Sequence, residues 1–405
     1  MVRNSALSEQ FRILSKLHQK APLLEADPWK AYTFNIISGR LRYLDFEVDN
    51  EPDTFEKLKK IKGFGESTLE KVKQFLEFGE ITRIKEFERD PERIAMKNMM
   101  GIWGVGRREA SRLVQHHGFR TIDQVRKAIR RGALQLDRNQ LVGVECYEDI
   151  NDEMTRDEVE KIGEIVKEAT IALYPGAQVE VMGSYRRGKP RCGDVDVHIT
   201  LKEYEKRVPE LALGQILDKL WNKGNTVAFH LTYLPGMESG KDPDDFVSAS
   251  RYVPAAAWEA AHHPVSMSEK SRHRHSSSTY FGVFHSPVVN GRRRRVDIKM
   301  YPYRERAFAS LYFTGNGYFN RSMRLRARQL SFSLNDHGLY KAGSKVRAME
   351  ASSERDVFEK LGLEYKSPLE RDCFDAVVPL CASSQTDFQI DEQDYQEESQ
   401  HVWID

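Results

Sequence analysis

The chain has 405 residues, 40% hydrophobic and 30% charged, which suits a soluble globular protein of about two to four modules. No apolar run approaches bilayer length and the N-terminus lacks the apolar core of a secretory signal, so membrane-spanning and secreted classes are excluded as expectations. The net charge of +1 hides an asymmetry: residues 376–405 carry seven acids and no Lys or Arg, leaving 62 basic against 54 acidic residues in a body near +8. Such a body favours a polyanionic partner through counterion release, with clusters at Arg107-Arg108, Arg130-Arg131, Arg292 to Arg295 and Arg321/Arg324/Arg326/Arg328. Cys146, Cys192, Cys373 and Cys381 have neither zinc-ligand spacing nor the density of a disulfide framework, which points to a reducing, intracellular setting.

Residues 1–86 read as short helices, opening on Leu7, Phe11, Leu14 and Leu17 at helical spacing. Arg3, Arg12, Lys16 and Lys20 give this start a basic face like an organelle-targeting peptide. Glu9 interrupts that face and the apolar stripe continues into Leu23-Leu24, so a first domain helix is expected instead. Residues 87–150 also read as helical. A small unit repeats, Ile61-Lys62-Gly63-Phe64-Gly65 and Ile102-Trp103-Gly104-Val105-Gly106, each followed by a polar helix with an apolar end.

From about residue 151 the texture becomes α+β. Residues 179–182, 194–199 and 295–300 alternate as strands, helices are expected near 158–172 and 211–221, and the sheet should be mixed or antiparallel. Residues 238–278 read as a long surface insertion, in which His262, His263, His273 and His275 lack metal-ligand spacing and fit a flexible basic loop better. Residues 308–374 read as a further α+β lobe, and the acidic, Gln-rich tail as flexible.

The sharpest chemical signal is Gly183-Ser184-Tyr185-Arg186-Arg187-Gly188 followed by Gly193-Asp194-Val195-Asp196-Val197-His198. Side chains alternate along a strand, so Asp194 and Asp196 share one face while Val195, Val197 and Ile199 enter the core. Two neighbouring carboxylates both stay charged cheaply only around a cation, and paired Mg²⁺ (or Mn²⁺) meets that need. Arg295-Val296-Asp297-Ile298-Lys299 repeats the pattern, with Asp297 facing out beside Lys299; if its strand lies next to the first, three carboxylates converge. That trio suits in-line attack on a nucleotide α-phosphorus, with Asp194 and Asp196 on both metals and Asp297 on the catalytic one. Gly183 and Gly193 let backbone N–H groups approach phosphate oxygens, Ser184 donates a hydrogen bond, and Arg187 or Arg186 grips the triphosphate.

These motifs, with Tyr312-Phe313-Thr314-Gly315, Phe319-Asn320-Arg321 and Lys360-Leu361-Gly362-Leu363-Glu364-Tyr365, resemble the family X DNA polymerases over about residues 10–375. The wording is most like the beta branch, with lambda-like features. The resemblance implies a multi-domain α+β architecture: helical domains with two helix-hairpin-helix motifs, a nucleotidyltransferase palm sheet and a small α+β lobe. The expected divisions are a lyase-like domain at 1–86, a thumb-type domain at 87–150, a palm at 151–303, a fingers-like lobe binding the nascent base pair at 304–375 and a tail at 376–405.

The same resemblance implies gap filling in base excision repair, on gapped or nicked DNA with dNTP, by a monomer working beside other repair proteins in the nucleus or mitochondrion. It implies that Tyr312, Phe313 and Gly315 pack on the incoming sugar, that the Tyr312 backbone blocks a 2′-hydroxyl, and that Asn320 reads the base edge. Arg321 and Arg324 contact the template. The hairpin glycines Gly63, Gly65, Gly104 and Gly106 grip phosphates at helix N-termini, with Na⁺ or K⁺ between hairpin carbonyls and phosphate. Lys71 matches the family's Schiff-base lysine and Tyr32 a residue shaping its pocket, with Lys60, Lys73 or Arg83 lowering the amine's pKa. The chain departs from the beta pattern at Ser67 and Arg83, where lysines are expected, at Asp149 and Lys299, where arginines are, and at Gly317, which replaces an acid. Two rivals remain: a template-independent or RNA-tailing nucleotidyltransferase, and a non-catalytic DNA-binding scaffold.

Overall fold

The computed structural model describes residues 4–19, 27–222, 226–231, 278–344, 346–372, 377–378 and 380. The stretch 238–278 with its four histidines (Ser278 excepted), Cys373, Cys381 and the tail from residue 381 lie outside the described residues.

The first helices are α1 (Ser5–Gln19), α2 (Pro28–Tyr43), α3 (Pro52–Lys59), α4 (Glu66–Phe78) and α5 (Thr82–Arg89). Their apolar stripes meet in one core of Leu7, Phe11, Leu14, Ile37, Leu41, Leu58 and Val72. Asp27 caps α2 by accepting from the Lys30 N–H, which satisfies a donor the helix start would leave open.

A second helical core, around Met96, Met99, Leu113, Val125 and Leu141, is built by α6 (Pro91–Met100), α7 (Arg107–Gln115), α8 (Ile122–Arg130) and α9 (Arg138–Glu145), with the short α10 (Tyr147–Ile150) behind it. Asp90 caps α6, with proline in the first turn, and capping boxes start α8 at Thr121 and α9 at Asp137.

The chain then enters a five-stranded mixed sheet of β2 (Ala177–Val181), β4 (Val195–Leu201), β7 (Arg293–Pro302), β6 (Thr279–His285) and β5 (Val227–His230), in that spatial order. Only the central β4–β7 pair among these is parallel. The short strands β1 (Met154–Thr155) and β3 (Arg191–Cys192) pair beside it. Val195, Val197, Ile199, Val296, Ile298 and Met300 are at most 1% exposed, so one face of β4 and β7 is core. Helices α11 (Arg156–Ile171) and α13 (Ala212–Asn222) contribute Val159, Ile162, Leu213 and Leu217 to that core. Each such aliphatic side chain contributes about 1.5–3 kcal/mol by leaving water.

The last lobe holds α14 (Arg306–Thr314), α15 (Gly317–Gln329), the hairpin β8 (Phe332–Asn335) and β9 (Gly338–Lys341), and α16 (Glu354–Lys360) around Phe308, Phe319, Phe358 and Leu361. It touches the first helical domain: the hydroxyls of Ser15 and Tyr318 share a hydrogen bond at 3.1 Å, and Arg42 pairs with Asp372. The expected α+β organisation with helical domains first is what the fold contains.

One sequence expectation needs correction here. The Arg292 to Arg295 cluster is not an open basic face. Arg292 and Arg293 bond Asp149 at 3.1 and 2.9 Å, and Arg294, 3% exposed, bonds Glu158 at 2.8 Å. Tyr32 is 2% exposed and packs with Trp29 and Leu325 against the last lobe.

Candidate active site

The parallel register sets Asp196 directly beside Asp297, and Val195 beside Val296. Asp194 stands in the bend just before β4 and not on the strand itself, yet carboxylate oxygens of Asp194, Asp196 and Asp297 all come within 4.8 Å of one another. Asp297 is 9% exposed, more enclosed than a position facing out beside Lys299 suggests. Arg295 hydrogen-bonds Asp297 at 3.2 Å and also bonds Asp194.

Burial first, then the charges of Asp194 and Asp297, push the Asp196 carboxyl well above the usual carboxylate range; Arg295 and Arg187 pull the other way. Three crowded hard-oxygen donors that repel one another fit a divalent cation, which would relieve that repulsion.

Gly183 begins the short helix α12 (Gly183–Arg186) with φ +56°, and a Cβ there would lie 1.7 Å from Asp196 Oδ2. Glycine is therefore required for the carboxylate to sit where it does. Beside it runs a cleft of about 360 Å³. Its walls include Asp194, Asp196, Asp297, Gly183, Ser184, Arg187, Tyr312, Phe313, Gly315, Asn320 and Arg324.

Gly193 and Arg321 are not among the cleft's walls; Gly193 is exposed, and the Arg321 guanidinium stands 5.7 Å from the Tyr318 ring. Arg187 donates to the Thr314 carbonyl, and burial pushes its pKa down against the opposing pull of Asp196 and Asp194. Arg186 is engaged elsewhere, bidentate to Glu354 at 2.9 and 2.9 Å, and Glu354 also holds the fully buried Arg371 at 2.7 Å. Asn320 donates to the Tyr312 carbonyl at 2.8 Å, which orders α15 against the end of α14.

Several walls were not singled out as site residues in the sequence. Trp103, Phe281, Arg295, Lys299 and Asn316 also line the cleft. Lys299 lies 4.9 Å from the Phe313 ring centre and 5.7 Å from that of Tyr312. Phe281 is the β6 partner of Asp297 in the sheet register, a relation no local pattern announces.

Both glycine hairpins end at helix starts: Gly65 is the N-cap of α4 and Gly106 of α7, each with open space where a Cβ would point. The Gly63 carbonyl accepts from the Thr68 hydroxyl at 2.9 Å and that of Gly104 from Gln140 at 3.2 Å. Lys71 lies on α4, apart from the cleft. Its Nζ donates to the Ser67 carbonyl at 2.9 Å and hydroxyl at 2.8 Å, and lies 5.8 Å from the Phe34 ring centre. Burial lowers its pKa, and Arg83 and Lys30 lower it further. Arg83 is among the three cations the sequence suggested, and Lys73 lies over Phe55 at 5.5 Å.

A mixed sheet that crowds three aspartates under a glycine-started turn defines a nucleotidyltransferase-type palm. The comparisons sharpen this. Residues 153–262 match the family model DNA polymerase beta palm, 309–372 DNA polymerase beta thumb, and 97–151 the fingers domain of DNA polymerase lambda. The models use fingers and thumb in the opposite sense to the labels given above. DNA polymerase lambda of Rattus norvegicus is 30% identical over 378 residues, 91% of this chain and 56% of the relative. DNA nucleotidylexotransferase of Eulemur macaco is 28% identical over 91% of this chain and 68% of the relative. DNA-directed DNA/RNA polymerase mu of Homo sapiens is 28% identical over 91% and 69%. The chain belongs to the family X DNA polymerases. It spans little more than half, 56%, of the rat relative's length. No helix among the described residues is long and apolar enough to cross a membrane.

Proposed function

We propose that the chain is a template-directed DNA polymerase that fills short gaps in base excision repair by two-metal-ion nucleotidyl transfer. The observation that carries this reading is the convergence of Asp194, Asp196 and Asp297 within 4.8 Å at the floor of a cleft. Asp194 and Asp196 would hold two divalent ions, Mg²⁺ or Mn²⁺, and Asp297 one of them. Such ions supply Lewis acidity, lowering the pKa of the primer 3′-hydroxyl and neutralising the leaving pyrophosphate.

The chain's own groups do the rest. Ser184, Arg187 and the backbone at Gly183 and Gly193 bind the triphosphate. Tyr312, Phe313 and Gly315 pack on the sugar, with the Tyr312 backbone excluding a 2′-hydroxyl. Asn320 reads the minor-groove edge of the incoming base, and Arg321 and Arg324 hold the template. The hairpin at Gly63 and Gly65 takes the strand downstream of the gap, and that at Gly104 and Gly106 the primer, each through N–H groups at a helix start, with Na⁺ or K⁺ at the hairpin carbonyls. Domain divisions near residues 86, 150, 303 and 375 belong to this reading, and separate buried clusters around Leu58, Met99, Val197 and Phe358 support it. Such chemistry belongs in the nucleus or mitochondrion, beside other repair proteins.

Lys71 gives the first domain a 5′-deoxyribose-phosphate lyase activity. Its lowered pKa leaves more neutral amine to attack the abasic-site aldehyde, and the imine permits β-elimination. Borohydride should trap the chain on incised abasic DNA, and trapping that survives Lys71→Ala would move the nucleophile elsewhere.

For the polymerase, a one-nucleotide gapped duplex is offered each dNTP and NTP. Preference for the templated dNTP supports the proposal. The names of the nucleotidylexotransferase and DNA/RNA polymerase mu relatives favour a second reading, template-independent addition or NTP use. Equal use of all nucleotides on a single-stranded primer would establish it.

A further inference from the structure

The second hairpin reaches the carboxylates through two side chains. Trp103 immediately precedes Gly104, and its ring faces the Arg295 guanidinium at 4.1 Å. Arg295 in turn bonds Asp194 and, at 3.2 Å, Asp297, so it places one cation on the oxygens a divalent ion would need. The hairpin backbone is held close to α9 by Gly143, where a Cβ would lie 2.6 Å from the Trp103 N and O atoms. The indole is thus a fixed seat, and Arg295 divides its attraction between that seat and the aspartates.

We propose that Trp103 is a positioning residue that keeps Arg295 on Asp194 and Asp297 and short of Asp196, and so links the second hairpin to the cluster's divalent-ion affinity. This rests on the two-metal reading above. Without the indole, the guanidinium settles further among the three carboxylates, and an incoming ion must displace it from there. Without the guanidinium, the cluster keeps its full negative charge, and the identity of residue 103 no longer matters to the ion. A primer phosphate gripped next to Gly104 would bear on the same ring, a route from DNA engagement to the metal site.

The test is Mn²⁺ binding to the full DNA-free chain, read as loss of the free aqua-ion signal in electron paramagnetic resonance. Trp103→Leu is expected to weaken binding about five- to thirtyfold, the scale of a desolvated cation–π contact. Arg295→Met is expected to tighten it, and the double variant to match Arg295→Met alone. Trp103→Phe, which keeps a weaker ring, should fall between wild type and Trp103→Leu, and it carries the test if the leucine variant does not fold. An unchanged affinity in both Trp103 variants, or an equal loss in the Arg295→Met background, overturns the proposal. Wild type that binds no Mn²⁺ at all would instead overturn the two-metal reading on which it stands.

Discussion

Gly183→Ala tests how tightly the turn and the carboxylate are built into one another. Glycine here has φ +56°, and an added Cβ would stand 1.7 Å from Asp196 Oδ2, where ordinary contact begins near 3.4 Å. The left-handed backbone alone costs an alanine about 1–2 kcal/mol. The steric term is larger in consequence, because the Asp196 carboxylate must withdraw by over 1 Å, and displacement of that order costs about 100-fold in rate. Single-turnover gap filling should therefore slow by about 100-fold or more, with only a few degrees lost in Tm. Gly118→Ala is the control: its φ of +69° carries similar strain, but nothing lies within 4 Å of the added Cβ. It should lower Tm comparably and leave the rate unchanged. A Gly183→Ala rate within threefold of wild type would refute the packing described here, as would an equal slowing by Gly118→Ala.

Arg294→Ala should destabilise the fold by about 3–5 kcal/mol in urea melts, because it strands the buried Glu158 carboxylate 2.8 Å away. Arg292→Gln, at a half-exposed side chain already paired with Asp149, should leave the salt dependence of DNA binding unaltered; a slope reduced by about one ion would return this cluster to the DNA interface. His230 is buried against Trp221 and Tyr280, and burial, with Arg138 adding, lowers its pKa from 6.5 to about 4. Its contribution to stability is whole above pH 6.5 and lost as pH falls toward 4, since the unfolded chain binds the proton first; at pH 5 the loss is about 2 kcal/mol. Melting curves of His230→Gln between pH 7 and 4.5 should show a correspondingly shallower acid slope, and an unchanged slope would assign the acid sensitivity to other groups.

What could be read from the sequence was what depends on periodicity. The two-residue repeat placed Val195, Val197, Val296 and Ile298 in the core and set Asp196 and Asp297 at the alternate positions, as the structure has them, while Asp194 stands in the bend before the strand. The repeated Gly-x-Gly units announced helix starts, which Gly65 and Gly106 are. What could not be read depends on partners far away in the chain. Parallel pairing of β4 with β7, which sets Asp196 beside Asp297, is a tertiary choice that the sequence left conditional. The four arginines from Arg292 look alike as letters; Glu145, Asp149, Glu158 and Asp194 decide which way they turn. Tyr32 packs against Leu325, which comes from the other end of the chain. Trp103 reads locally as an apolar flank of a hairpin, and only the fold brings Arg295 over its ring.

The central claim is that the three aspartates serve the chemistry and not the grip on DNA. One preparation of Asp297→Ala, titrated with labelled one-nucleotide gapped duplex by fluorescence anisotropy and then supplied with Mg²⁺ and the templated dNTP, addresses it directly. Binding within about threefold of wild type with no extension product is the expected result. Extension at a wild-type rate would contradict it.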